Sequence, residues 1–222
     1  MKYLKPGQMH FIEEIKQIHS SKKEEIKARL DEFKEIWRHG TREEIFKELA
    51  FCILTPMARG KYCWYAIENM TKKDVLFNGD SSLISKYLKG ARFINKKSMY
   101  IVEARNKFYL DKGISIKDII ADIGHGFNAR EWLVSNVKGI GYKEASHFLR
   151  NIGSDQGLAI LDRHILKNLK LTGVIEKIPD PLTGRKYLHT EKNMKEFSKN
   201  IKIPMGHLDL VMWCKETGEI FK

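Results

Sequence analysis

Apolar residues recur every three or four positions along almost the whole chain. Phe11, Ile12, Ile15 and Ile18 form one stripe, and Ile26, Leu30, Phe33 and Ile36-Trp37 form a second. A third, Ile45, Leu49 and Ile53, ends at Thr55-Pro56. Tyr100, Ile101, Ala104, Phe108 and Leu110 continue the pattern on a charged background, and Ile116, Ile119, Ile120 and Ile123 repeat it up to Gly124-His125-Gly126. This spacing puts the apolar side chains on one face of a helix. No stretch alternates with the period of two that a half-buried strand shows. There is no internal repeat and no low-complexity segment. The pattern predicts an all-α protein with two helical lobes and a cleft between them.

Breaks fall at His39-Gly40-Thr41, Asn78-Gly79-Asp80, Asp111-Lys112-Gly113 and Ile178-Pro179-Asp180-Pro181. The last, followed by Thr183-Gly184, is the strongest linker candidate. Helices are expected to resume after Thr190 and again after Pro204.

One corner differs from the others. Asn128–Asn136 reads as a helix offering Trp132 and Leu133 to the core, and Tyr142–Asn151 reads as a second with Ala145, Phe148 and Leu149 inward. Between them lies Val137-Lys138-Gly139-Ile140-Gly141. Glycine tolerates positive φ and close backbone approach. A tight Gly-x-Gly corner turns amide N–H groups outward at a helix start, which suits a phosphate. Ile140 would anchor the turn. The plain alternative is a helix–helix corner with no ligand. Lys143 follows inside the second helix, and Asp162 comes 19 positions later, before the predicted helix Arg163–Leu171. On their own, Lys143 fits an amphipathic helix surface and Asp162 fits an N-cap.

Charge sharpens the corner without deciding it. The 222 residues carry 40 Lys+Arg against 28 Asp+Glu, a formal net charge of +12 spread along the chain. That balance fits either a solvated lysine-rich surface or a polyanion partner such as nucleic acid. The three cysteines, Cys52, Cys63 and Cys214, are odd in number and widely spaced. They form no disulfide framework or paired-cysteine metal site and fit reduced thiols inside a cell. His125, His147 and His164 lack metal-ligand spacing and are expected to be structural. MKYLKPGQMHF has no run resembling a signal peptide, and no segment approaches the roughly 18–20 apolar residues of a membrane span. The expectation is a soluble cytoplasmic protein.

The stretch from Asn136 to Ile165 resembles the hairpin region of the helix-hairpin-helix DNA glycosylase superfamily. There the hairpin is followed by a Gly/Pro-rich loop and a catalytic aspartate. Here the loop is Gly153-Ser154-Asp155-Gln156-Gly157, without proline, and leads to Leu161-Asp162-Arg163-His164. Lys143 stands where bifunctional members carry a nucleophilic lysine, and Asp162 where they carry the aspartate. Three further stretches are similar to the type 2 branch of 8-oxoguanine DNA glycosylases, known from archaea and some thermophilic bacteria. They are Leu208–Lys222, Gly90–Lys97 and Leu54-Thr55-Pro56. Met57 departs from the branch's usual Thr-Pro-Gln, which leaves open the side chain that fills the space vacated in the duplex.

The resemblance implies a helix-hairpin-helix glycosylase fold forming one glycosylase domain over residues 1–222. A helical-barrel lobe at 81–178 would hold the hairpin at 128–151, and 1–80 plus 179–222 would form a discontinuous lobe. It implies a DNA repair enzyme that flips an oxidised base out of double-stranded DNA. Lys143 would attack C1′ to form a Schiff base, and β-elimination would then nick the abasic site. Asp162 would stabilise positive charge on the sugar. A lysine with its unperturbed pKa of about 10.4 needs desolvation or nearby cations to be free, and Lys138, Arg150 and Arg163 are the sequence neighbours that could help. Trp213 and Phe93 are the candidates to sandwich the base, and the terminal carboxylate at Lys222 the candidate to accept its N–H groups. Gly139, Ile140 and Gly141 would hold the DNA backbone. The backbone carbonyls of Ser135, Val137 and Ile140 would take a cation when DNA is bound. No cofactor is required and no iron–sulfur cluster is expected. The enzyme would be a monomer associated with the nucleoid and not with membranes. Two alternatives stay open: the same fold acting on another damaged base, and a non-enzymatic hairpin module that binds the DNA backbone.

Overall fold

A computed structural model of the chain describes residues 6–110 and 115–222, so the predicted break at Asp111-Lys112-Gly113 lies outside the described residues. The described residues are helical and contain no strand. None of their helices is long and apolar enough to cross a membrane.

The first two apolar stripes belong to one helix, α1 (Pro6–His39). Nothing between Gly7 and Gly40 interrupts it, since residues 8–39 contain neither glycine nor proline. It ends where Gly40 closes on the Ile36 carbonyl, a place where a Cβ would collide with that oxygen. Thr41 caps α2 (Arg42–Leu54): its hydroxyl accepts the Glu44 N–H while the Glu44 carboxylate accepts the Thr41 N–H. Then follow α3 (Gly60–Lys72), α4 (Val75–Asn78), α5 (Ser81–Tyr87) and α6 (Ile94–Arg105), which runs on into a π-helical turn at Asn106–Leu110. The remaining helices are α7 (Ile116–Ile123), α8 (Phe127–Asn136), α9 (Tyr142–Asn151), α10 (Arg163–Leu171), α11 (Gly184–Ile201) and α12 (Met205–Thr217).

The chain forms two compact units, one of residues 34–156 and one of residues 1–33 plus 157–222. These divisions fall elsewhere than the expected 81 and 178. The reason is α2, whose Ile45, Phe46 and every residue from Leu49 to Leu54 are buried. A helix apolar on nearly all sides must lie inside a core, and α2 packs against α3, α6 and α9. It therefore groups with the hairpin unit. Its buried carboxylate, Glu48, accepts from Asn151 Nδ2 at 2.9 Å, and Arg150 in turn donates to Asn151 Oδ1. Within the same unit α8 and α9 pack as a pair, with Leu133, Ala145, Phe148 and Leu149 buried.

In the other unit, α12 packs against α10 and α11, with Leu208, Leu210, Val211 and Met212 inside. The expected linker around Ile178 is instead a loop of this unit. It is tied at its start, where the Val174 and Ile175 N–H groups both donate to the Leu169 carbonyl. The following helix starts at Gly184, six residues before the expected Thr190, because Thr183 supplies an extended N-cap.

Candidate active site

In the hairpin unit, Gly139 sits at φ +82, in the left-handed region where a side chain is strained. The need for glycine is also steric, since a Cβ there would stand 2.6 Å from Tyr100 Cδ2. Ile140 is buried and pins the turn, and its N–H donates to the Val137 carbonyl. The Gly141 N–H donates to Glu144 Oε2 at 3.3 Å. The Val137 N–H donates to the Leu133 carbonyl, so three of the five corner amides are used internally. The exposed pair, Lys138 and Gly139, carries the amides that remain for a phosphate, a narrower cradle than the sequence pattern suggested.

Lys143 lies in the first turn of α9 with its side chain 22 % exposed. Its amine donates to Thr55 Oγ1 at 3.1 Å and pairs with Glu144 Oε1 at 3.2 Å. Thr55 follows the last residue of α2 and donates its own hydroxyl hydrogen to the Cys52 carbonyl at 3.0 Å. With that hydrogen committed, the Thr55 oxygen presents a lone pair to Lys143.

None of the three cations expected to flank the lysine is in that contact set. Lys138 pairs with Glu103 at 3.0 Å on the surface, and Arg150 is held by Asn151. Arg163, in the other unit, points Nε at His164 Nε2. The cation that does feel Lys143 is Lys97 of α6. Burial lowers its pKa most, and the Lys143 charge lowers it further. Lys97 is only 4 % exposed and donates to the carbonyls of Leu54 and Pro56, each at 2.7 Å. The signal for it was present in the sequence: Lys97 stands four residues before Ile101, at the head of that buried stripe. Nearby, burial pushes the Cys63 thiol up to about 11, with opposing effects from Lys97 and Lys143. Cys52, Cys63 and Cys214 are all buried free thiols.

Phe93 is the N-cap of α6, at φ +59 and 59 % exposed. Its ring is open to solvent. Met57, in the loop after Thr55-Pro56, is likewise at positive φ and 62 % exposed.

In the second unit, Asp162 caps α10. Oδ1 accepts from both the His164 and Ile165 N–H groups at 2.8 Å, which leaves Oδ2 for another partner. Trp213, on α12, is half-buried, and its ring stacks on Phe221 with centroids 5.9 Å apart and planes 28° from parallel. Ile220 is buried, and the Trp213–Phe221 stack ties the segment before Lys222 to α12. His164 lies 3.9 Å from Glu216, while in the hairpin unit His125 bonds Ser154 Oγ at 2.6 Å and His147 meets Phe51 edge-on. Among the described residues, no group of three or more His, Cys, Asp or Glu is placed to hold a metal.

A glycine-held hairpin followed at once by a bound lysine is a narrow combination. The 8-oxoguanine DNA glycosylase family model matches residues 26–203. The chain belongs to the 8-oxoguanine DNA glycosylase family. The 8-oxoguanine DNA glycosylase/AP lyase of Fusobacterium nucleatum is 45 % identical over 212 residues, spanning 96 % of this chain and 98 % of that one. The crystal structure of the Thermotoga maritima 8-oxoguanine DNA glycosylase superposes with a TM-score of 0.85 at 33 % identity, covering 97 % of this chain and 100 % of that one. The Methanocaldococcus jannaschii 8-oxoguanine glycosylase/lyase, crystallised with a 15mer DNA containing 8-oxoguanine, also scores 0.85 at 37 % identity, covering 95 % and 99 %. The all-α fold is thus that of the 8-oxoguanine DNA glycosylases. In this family member the lysine's immediate partners come from α2 and α9, with α6 behind them.

Proposed function

We propose that this chain removes 8-oxoguanine from double-stranded DNA through a lysine Schiff base and then nicks the abasic site. One observation carries the assignment of the nucleophile. Lys143, in the first turn after the hairpin, has its amine fixed by Thr55 and Glu144 beside a buried second ammonium. An amine held in one place gains the advantage of a near-attack geometry. Its lone pair attacks C1′ and the glycosidic electrons leave with the base. The sugar ring then opens to the Schiff base. Loss of a C2′ proton expels the 3′ phosphate and cuts the strand.

In this scheme the Asp162 carboxylate stabilises positive charge on the sugar. Its use of only Oδ1 as a helix cap supports that second role. The exposed Phe93 offers a free aromatic face to a flipped base. Trp213, backed by Phe221 and followed by Lys222, offers another in its own unit. The turn at Gly139, Ile140 and Gly141 takes the sugar-phosphate backbone. The carbonyls of Ser135, Val137 and Ile140 are the candidates for a cation when DNA is bound; Val137 already accepts the Ile140 N–H and retains one lone pair. We assign the enzyme to the nucleoid and to a monomeric state.

Borohydride reduction during turnover of an 8-oxoguanine duplex should trap a covalent protein–DNA adduct. Lys143→Gln should abolish the adduct while DNA binding survives. Excision and nicking by Lys143→Gln at the normal rate would refute the nucleophile. A panel of duplexes with other oxidised or alkylated bases should show 8-oxoguanine as the fastest substrate, and faster release of another base would move the specificity.

A further inference from the structure

Lys97 is a buried ammonium that the chemistry above does not use. It lies on α6, is 4 % exposed and donates to two backbone carbonyls, those of Leu54 and Pro56. These carbonyls flank Thr55. Burying an ammonium is costly unless its donors are satisfied, and two carbonyls 2.7 Å away are short, charge-assisted acceptors. The Leu54 carbonyl belongs to the peptide plane that enters Thr55 and the Pro56 carbonyl to the plane one residue beyond it, so the two bonds pin the segment on either side of Thr55. Thr55 is also tied by its own hydroxyl to Cys52, and its carbonyl accepts the Ala58 N–H at 3.1 Å. One of the two lone pairs of its hydroxyl oxygen faces Lys143 Nζ at 3.1 Å.

We propose that Lys97 is a positioning residue for the glycosylase reaction: it clamps the Leu54 and Pro56 carbonyls so that the Thr55 hydroxyl holds the Lys143 amine in its attacking position. This rests on Lys143 as the nucleophile. The path runs from α6 to the end of α2 and on to the first turn of α9, all within residues 34–156. An apolar side chain of similar length would fill the same buried space without desolvating a charge, but would take a donor from both carbonyls, so a stability cost accompanies any such change. What it would not supply is two donors aimed at the carbonyls around Thr55. The groups that act electrostatically on Lys97 are Cys63, Lys143 and Glu144, which include the amine itself and the carboxylate paired with it.

The test is a double-mutant cycle read as the single-turnover rate of borohydride-trapped adduct, at saturating enzyme and well below the unfolding midpoint of every variant. Lys97→Met is expected to slow trapping ~100-fold, the loss that follows from a misplacement on the order of 1 Å. Thr55→Val is expected to slow it by roughly tenfold or more, and the double variant to be no slower than Lys97→Met alone. DNA affinity should change little throughout. Should Lys97→Met not fold, Lys97→Gln, which keeps one donor, enters the same cycle. Multiplying losses in the double variant would overturn the proposal, because Lys97 would then act independently of Thr55. So would an unchanged rate in a folded Lys97 variant, which would leave Lys97 a purely structural residue. Lys143→Gln is run alongside. If it still traps DNA, the nucleophile assignment has failed; if it is dead while Lys97→Met is normal, only the clamp has failed.

Discussion

Gly139→Ala is the sharpest single perturbation of the hairpin, because two independent costs meet at one atom. The residue sits at φ +82, and placing an alanine there costs about 1–3 kcal/mol. The new Cβ would also stand 2.6 Å from Tyr100 Cδ2, against a comfortable carbon–carbon separation of about 3.5–4.0 Å. Tyr100 must therefore shift by roughly 1 Å, an overpacking cost of about 1–3 kcal/mol. The sum is ~4 kcal/mol, which at a urea m value of ~2 kcal/mol/M lowers the unfolding midpoint by ~2 M. Urea unfolding followed by tryptophan fluorescence measures it, with fluorescence-anisotropy titration of an 8-oxoguanine duplex for affinity. Tyr100→Ala separates the two costs. In that background the clash disappears and only the backbone strain remains, so the two substitutions should show a favourable coupling of about 1–3 kcal/mol. Zero coupling would mean that Tyr100 does not limit the turn. An unchanged midpoint in Gly139→Ala would refute the whole account of why glycine stands there.

Three further outcomes are expected. Asp162→Ala should cost ~1 kcal/mol, because two N–H groups lose their acceptor, whereas Asp162→Asn preserves the cap; both should lose excision, and wild-type excision by Asp162→Asn would remove the carboxylate from the chemistry. Burial pushes the Glu216 carboxyl up, but hydrogen bonds from Lys167 and Asn168 and the charges of Lys167 and Lys215 outweigh it and hold it below the ordinary 4.5. The folded state then binds fewer protons than the unfolded chain, so this stabilisation is full above the unfolded pKa and is lost as pH falls through the lower folded one. Glu216→Gln should flatten that part of the acid limb in thermal unfolding, and an unaltered acid limb would count against it. Met57→Ala should change stability by no more than ~0.5 kcal/mol, as befits a 62 % exposed side chain. If Met57 fills the space left by the flipped base, this substitution slows excision from duplex far more than from single strands; equal slowing of both would remove it from that role.

Helical periodicity carried most of the secondary structure, because each stripe reports a buried face regardless of its neighbours. α8, α9 and α10 lie within a residue of their expected positions. Their ends are written locally, in a glycine pair and an N-capping aspartate. The unit boundaries were not legible. Ile178-Pro179-Asp180-Pro181 has linker composition, but composition does not reveal that the preceding residues bond back to Leu169. The two stripes of α1 looked separable only because the run between them is polar. A polar run on a long helix marks a solvated turn and not a break.

The same contrast governs the site. Lys143 and Asp162 announce themselves by what surrounds them in sequence. The partners of Lys143 do not, since Thr55 is 88 positions away and Lys97 arrives from a third helix. Sequence proximity favoured Lys138, Arg150 and Arg163 as flanking cations, yet each finds a nearer acceptor or a surface carboxylate. Glu144 is a partner of Lys143 that sequence proximity does supply. One of its oxygens takes the Gly141 N–H and the other meets Lys143. A single carboxylate therefore ties the turn that would grip DNA to the amine that would attack it. The turn and the Lys143 amine are linked locally through Glu144, while Thr55, which holds the amine from the other side, comes from a distant part of the unit.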